Sequence, residues 1–165
     1  MEKRQAPTLS LAAATAAHAT VDPTFGDPFP VSAENTTVAQ ASSKAVASTR
    51  GTVTAIFTDT VDGHLVVLER RLDVPTSTWS DPSVISDDGV NVSQGSQQIV
   101  ADTDGNVTAV WTEDGTWRIM AATRLAGRTD WEPIDRLSPN GDSGGQATLE
   151  AGPNGTVIAA WASYH

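Results

Sequence analysis

The sequence predicts an all-β protein made of stacked sheets, because one segment recurs along the chain and its apolar residues alternate. The segment begins at Gly51, Gly105 and Gly155, and each copy ends in an aromatic residue six positions later. The period of about 50 residues is typical of solenoids and propellers. We therefore expect four-stranded antiparallel meanders, the blades of a β-propeller. At about 50 residues per blade, 165 residues hold an incomplete ring, since propellers have four to eight blades.

The two strands around each repeated glycine are predicted to form a hairpin. Asp104-Gly105 and Asn154-Gly155 favour a primed turn, because these residue types tolerate positive φ. The strand after the turn is apolar or small on both faces, as expected for a strand buried between two neighbouring sheets. We therefore expect the aromatic residues that end this strand to lie in the core: Phe57, Trp111 and Trp161.

A third strand and an outer element complete each predicted unit. The third strand is expected over residues 65–72 in one copy and 118–125 in the next, each ending in Arg-Leu. The outer element begins at Trp79 and again at Trp131, with a proline close behind. Proline fits an edge strand, where no ladder hydrogen bond is lost.

These units predict the organisation of the whole chain. Residues 1–20 have a basic head and an alanine-rich apolar stretch, so they form either a secretory signal-like segment or a disordered tail. Helix is expected only there, if anywhere. Residues 21–165 form the partial propeller, with an outer strand at 25–33, blades at 38–90 and 94–142, and a half blade at 144–163.

Charge and composition limit the partners and the chemistry. Ten Lys and Arg against twenty Asp and Glu give a net charge of −10, which disfavours nucleic acid and anionic membranes. The absence of cysteine excludes disulfides, thiolate metal sites and cysteine nucleophiles. The histidines are scattered, and Asp102-Thr103-Asp104 is interpreted as a hairpin turn or, alternatively, as a calcium loop. We expect no catalytic residues, no metal site and no cofactor.

Four residues are predicted as ligand contacts. Trp117 has no matching aromatic in the other copies, so the repeat does not require it. Trp79 and Trp131 lie near the outer edge, where they stack either on a ligand or on the next blade. Arg118 is one of four arginines predicted on the third strands: Arg70, Arg71, Arg118 and Arg124. If these side chains lie close together, they can hold a carboxylate by bidentate hydrogen bonds. The alternative is that they are solvated on the surface.

The pattern resembles bacterial β-propeller repeats of the sialidase-like and Asp-box class, in which an Asp-Gly turn precedes a strand ending in tryptophan. Trp79-Ser80-Asp81-Pro82 is similar to the Trp-Ser-x-Pro strand that closes such blades. The resemblance spans residues 25–161 and implies blade architecture. The Asp-box aspartate is replaced by Val74 and Ala126, and Tyr164 is the single tyrosine, so sialidase activity is not implied.

The predicted function is that of a binding or scaffold module in an exported, extracellular bacterial propeller. The expected ligand is a carbohydrate or a protein, and self-association or further blades of a parent chain would cover its ends. Two alternatives remain open. One is a fragment of a sialidase-like glycoside hydrolase whose catalytic residues lie outside this chain, and the other is a small lectin that closes its ring by self-association.

Overall fold

A computed structural model describes residues 43–87 and 89–164 and, before them, the backbone of four short strands. The chain divides into two units, residues 1–40 and 41–165. In the first unit, β1 pairs with β4 and β2 with β3, both antiparallel. These strands are β1 (Ser10–Leu11), β2 (Ala14–Thr15), β3 (Thr24–Phe25) and β4 (Phe29–Pro30). The rest of segment 1–20 and of the outer strand 25–33 lies outside the described residues.

Among the described residues, the second unit contains three antiparallel sheets, and strands that follow one another in a sheet pair together except the ninth strand of the chain, which pairs with the seventh. The first sheet consists of β5 (Lys44–Ala47), β6 (Thr52–Val61), β7 (His64–Asp73) and β8 (Thr78–Trp79), with β9 (Ser83–Val84) also paired to β7. The second sheet consists of β10 (Gln98–Ala101), β11 (Val107–Thr112), β12 (Ile119–Arg124) and β13 (Asp135–Arg136). The third consists of β14 (Ser143–Ala151) and β15 (Val157–Tyr164).

The prediction of an all-β protein is confirmed. Within the described residues, the single helical element is a 3-10 turn at Pro153–Gly155. No helix in this part of the chain is long and apolar enough to cross a membrane. The predicted third strands at 65–72 and 118–125 correspond to β7 and β12, with ends that differ by one residue.

Loops of four or five residues join the strands on either side of the repeated glycines, at 48–51, 102–106 and 152–156. Asn154 and Gly155 both adopt positive φ, 60° and 73°, so the primed turn predicted there is confirmed. At Gly105 only the glycine adopts positive φ, 88°, and the primed turn predicted for Asp104-Gly105 is wrong. The reason is Asp102, whose carboxylate accepts the backbone N–H groups of Asp104 and Asn106 at 2.9 and 2.8 Å and holds a different turn.

The second sheet is covered on both faces, because alternate residues of β11 enter two different clusters. Ala109 and Trp111 pack with Ile56 of the first sheet. Val110 packs with Leu149 of the third sheet. The first strands approach each other as well, since Cα atoms of β5 and β10, and of β10 and β14, come within 8 Å.

The aromatic residues that end the second strands are buried to different extents. Phe57 and Trp111 are each 1% exposed, as predicted. Trp161 is only partly buried, which corrects the expectation that it lies in the core. It packs towards the second sheet, but Ile158 on the other face of β15 is 59% exposed, so the third sheet is covered on one face only.

Candidate functional site

A groove of about 660 Å³ lies between the second and third sheets, where β11 ends and β14 begins. Its lining combines two aromatic rings, Trp117 and Tyr164, with uncharged polar side chains. The described residues that line it include no Asp, Glu, Lys or Arg. The polar side chains are Ser93, Gln94, Ser96, Gln98, Thr112, Ser143, Gln146 and Thr148.

Trp117 is positioned by the loop that joins β11 to β12. The Glu113 N–H donates to the Arg118 carbonyl oxygen at 2.9 Å, and the Trp117 N–H donates to the Glu113 carbonyl oxygen at 3.0 Å. Trp117 has a φ of 54°, in the left-handed region that costs a residue with a Cβ about 1 kcal/mol or more. Its side chain remains 48% exposed at the groove. The fold therefore maintains a strained backbone while presenting an open indole ring.

The start of β14 ties this loop to the third sheet. The Gly144 N–H donates to the Trp117 carbonyl oxygen at 2.7 Å. A Cβ at Gly144 would lie 2.8 Å from Ile119 Cγ1 and 3.0 Å from Trp161 Cδ1, so only glycine allows this close approach. The wall of the groove therefore depends on contact between the two sheets.

A bulge in β14 forms part of the same wall. The register with β15 shifts between Gly145 and Thr148, and Gln146 has a φ of 55°. Bulges of this kind redirect side chains and are frequent beside binding sites. Tyr164, paired with Ser143 at the strand end, is 63% exposed.

Thr112 carries a polar atom without a partner in the wall of the groove. The residue is 2% exposed, and its Oγ1 is buried and has no hydrogen-bond partner among the described residues. A buried hydroxyl without a partner is costly to the folded state.

The structure does not bring the four predicted ligand residues together. Trp117 lines the groove, whereas the Arg118 guanidinium lies 3.8 Å from the buried carboxylate of Glu113. Trp79 lies in β8, beside a separate cleft lined by Arg71. Trp131 packs against the core and under the Arg124 guanidinium, 5.1 Å from its ring centre.

The predicted gathering of arginines is also only partly observed. Arg118 precedes β12 and Arg124 ends it, so these two lie at opposite ends of one strand. Arg71 and Arg124 do line one cleft. The set of four therefore does not form a single site.

Several groove residues were missed by sequence reasoning, including Tyr164, Thr112 and Gln146. A weak signal was present, because Ser-x-Gly occurs at Ser93–Gly95 and again fifty residues later at Ser143–Gly145. Both copies line the groove. Two polar stretches that contain glycine, fifty residues apart, indicate an exposed surface whose residues are not determined by packing in the core.

The Asp102 carboxylate supports its interpretation as a turn residue. Besides two backbone N–H groups, it accepts the Asn106 side-chain amide at 2.7 Å. Within the described ranges, no group of three His, Asp or Glu side chains is arranged to hold a metal ion. This carboxylate is therefore engaged in organising its own hairpin.

No family model and no curated protein sequence matches this chain. The chemistry of the groove is thus the basis for assigning a function.

Proposed function

We propose that the chain is an exported bacterial β-propeller segment of the sialidase-like and Asp-box class. In this proposal the sheets are blades of about 50 residues. Two observations support it: the second sheet packs between its neighbours, and the first strands approach each other within 8 Å. Such radial packing around the innermost strands is typical of propellers. In this proposal the blades have the limits predicted from the sequence, 38–90, 94–142 and 144–163.

We propose that the groove binds a neutral carbohydrate. The observation that carries this proposal is its lining, which pairs exposed Trp117 and Tyr164 with amide and hydroxyl side chains and has no described charged residue. Sugars present apolar C–H faces that stack on aromatic rings, and their hydroxyl groups both donate and accept hydrogen bonds. Glutamine amides and serine or threonine hydroxyls match both roles. The volume also falls within the range of small-molecule sites.

We propose that the groove binds a carbohydrate without cleaving it. Glycoside hydrolases place two carboxyl groups on either side of the scissile bond, about 5–10 Å apart. The described lining supplies none. The proposed role is therefore that of a lectin-like module, and not that of a hydrolase.

Replacing Trp117 with Ala is expected to weaken binding of neutral oligosaccharides about tenfold or more, which corresponds to about 1.4 kcal/mol or more of binding free energy. The reason is loss of the exposed ring that stacks on the sugar. A screen of immobilised neutral glycans would identify the ligand, and titration calorimetry would compare the variants. Tyr164→Ala should weaken binding in the same direction.

Trp79→Ala is the matched control, because Trp79 lies in β8 outside the groove. It should leave glycan affinity unchanged. Equal losses for Trp79→Ala and Trp117→Ala would contradict the assignment of the groove, and so would the absence of any neutral glycan that binds the unmodified chain.

We also propose that the outer face of the third sheet is covered by self-association or by further blades. Ile158 and Ala160 are exposed there. The residues equivalent to Ala160 in the other two copies are Ile56 and Val110, each five positions after its glycine. Both are 0% exposed, because a neighbouring sheet or strand covers them. An exposed apolar sheet face favours association.

The purified 165-residue chain is expected to associate with increasing concentration, and Ile158→Glu should reduce this association by placing a charge on the apolar face. Sedimentation velocity over a range of concentrations provides the measurement. Glu150 is paired with Ile158 on the same face, so Glu150→Gln, which removes a charge there, should act in the opposite direction and strengthen association. A monomer that persists at high concentration would rule out this role for the face.

A further inference from the structure

A second cleft, of about 320 Å³, lies between the first and second sheets at the opposite end of β11 from the groove. Val107, at the start of β11, lines this cleft, whereas Thr112, at the end of the strand, lines the groove. Four of the ten basic residues in this acidic chain line it. They are Arg50, Arg71, Arg124 and Arg128.

The charges in the cleft are not balanced within the described residues. The Glu69 carboxylate forms an ion pair with Arg124 and lies 3.7 Å from Arg71 Nε. Arg50 and Arg128 form no side-chain hydrogen bond or ion pair with any other described residue. One carboxylate therefore contacts two of the four guanidinium groups, and the lining of the cleft carries an excess of positive charge.

The position of Arg50 is fixed by contact between two hairpins. Its Cγ lies 3.4 Å from where a Cβ on Gly105 would be, so the side chain lies across the neighbouring loop. Beside it, the Thr49 hydroxyl donates to the Thr103 carbonyl oxygen at 3.4 Å. The aliphatic part of the Arg50 side chain thus lies against the second sheet, and its guanidinium lines the cleft.

Packing alone does not require an arginine at this position. Between the second and third sheets, the equivalent contact is made by Asp104, whose Oδ2 lies 2.8 Å from where a Cβ on Gly155 would be. An acidic side chain therefore fills the same role one sheet further along. The positive charge of Arg50 needs an explanation other than packing.

We propose that this arginine cleft binds an oxyanion, the carboxylate, sulfate or phosphate group of a ligand. Guanidinium groups present planar, bidentate donors that match such anions, and they remain charged at all physiological pH values. Arg50 and Arg128 supply the free donors, while Arg71 and Arg124 form the wall. The arginine cleft lies at the other end of the strands from the neutral groove. Its proposed role does not depend on the function proposed for that groove.

The test measures the midpoint of thermal unfolding with inorganic phosphate, glucuronate and, at matched ionic strength, sodium chloride. A ligand that binds the folded state raises the midpoint. Phosphate or glucuronate should raise it more than chloride does. In the Arg50→Ala/Arg128→Ala variant, about tenfold more anion should be needed for the same shift. Comparing phosphate with glucuronate shows which class of anion the cleft prefers.

The matched control is Arg118→Ala/Arg136→Ala, which removes the same charge outside the cleft. It should respond to anions as the unmodified chain does. An equal loss of response in both double variants would mean general charge screening and would overturn the proposal. The proposal is also overturned if phosphate and glucuronate act no more strongly than chloride.

Discussion

Replacing Glu69 with Ala is expected to lower the free energy of unfolding by about 3–5 kcal/mol, because it leaves a buried guanidinium without its counter-charge. The Glu69 side chain is 1% exposed and that of Arg124 is 5% exposed. Burial lowers the pKa of Arg124, and the neighbouring Glu69 carboxylate acts in the opposite direction. The pair joins β7 of the first sheet to β12 of the second, so its loss also weakens the contact between sheets.

Other contacts of Arg124 add to this effect. Its Nη2 donates to the Thr54 hydroxyl at 2.7 Å, and its guanidinium lies over the Trp131 ring. Both contacts are arranged around a guanidinium held in place by Glu69. Removal of the carboxylate therefore disturbs a network and not a single bond.

Chemical denaturation of Glu69→Ala and of the double variant Glu69→Leu/Arg124→Met separates the two contributions. The double variant removes both charges, so it should be about as stable as the unmodified chain or more stable. A loss below about 1 kcal/mol for Glu69→Ala would show that the pair is solvated in solution, in contrast to the burial described above.

Replacing Trp111 with Ala should cost about 3–5 kcal/mol, the range found for large core aromatics. Trp111 is 1% exposed and packs in the cluster shared by the first and second sheets. Ile56 and Val67 line the same cluster and would border the cavity left behind. The cost includes both lost burial and an empty volume that rigid strands fill poorly.

Trp117→Ala is the comparison for Trp111→Ala, because it deletes the same side chain from an exposed loop. We expect its cost to stay below about 1 kcal/mol. Urea denaturation of the two variants under identical conditions provides the comparison. Similar losses of stability would mean that the core and loop positions of these tryptophans have been exchanged.

Local sequence signals predicted the hairpins well. The glycines at 51, 105 and 155 each adopt positive φ in a tight loop, and the apolar or small residues on both faces around Val110 predicted a strand buried on both faces. These features depend on backbone sterics and on residues close in sequence. The turn at Asp104 was mispredicted because a side-chain acceptor, Asp102, competes with the backbone preference of the dipeptide.

Burial was harder to predict where it depends on neighbouring strands. Trp161 has the same sequence context as Trp111, yet it is less buried. β11 lies between β10 and β12, whereas β15 pairs with β14 alone among the described strands, which leaves one side of Trp161 open. The sequence around the tryptophan does not encode this difference.

The candidate sites show the same limit. Trp117 was predicted because it is an aromatic that the repeat does not require, whereas Tyr164 became apparent only when the end of β15 was placed beside the β11–β12 loop. Arg118 was grouped with Arg124 because both flank the third strand. Sequence spacing did not reveal that they lie at opposite ends, or that Arg50 and Arg128 would join Arg124 from loops.

The contacts of Arg50 with Gly105 and of Asp104 with Gly155 show which residues at the sheet boundaries tolerate a change of charge. Gly105 and Gly155 are each restricted twice, by their own left-handed turn and by the side chain that rests on them from the preceding hairpin. Arg50 and Asp104 need only to lie across a bare backbone, which side chains of opposite charge do equally well. A single substitution at either position therefore changes the charge of one boundary between sheets and leaves the hairpin backbone as it is.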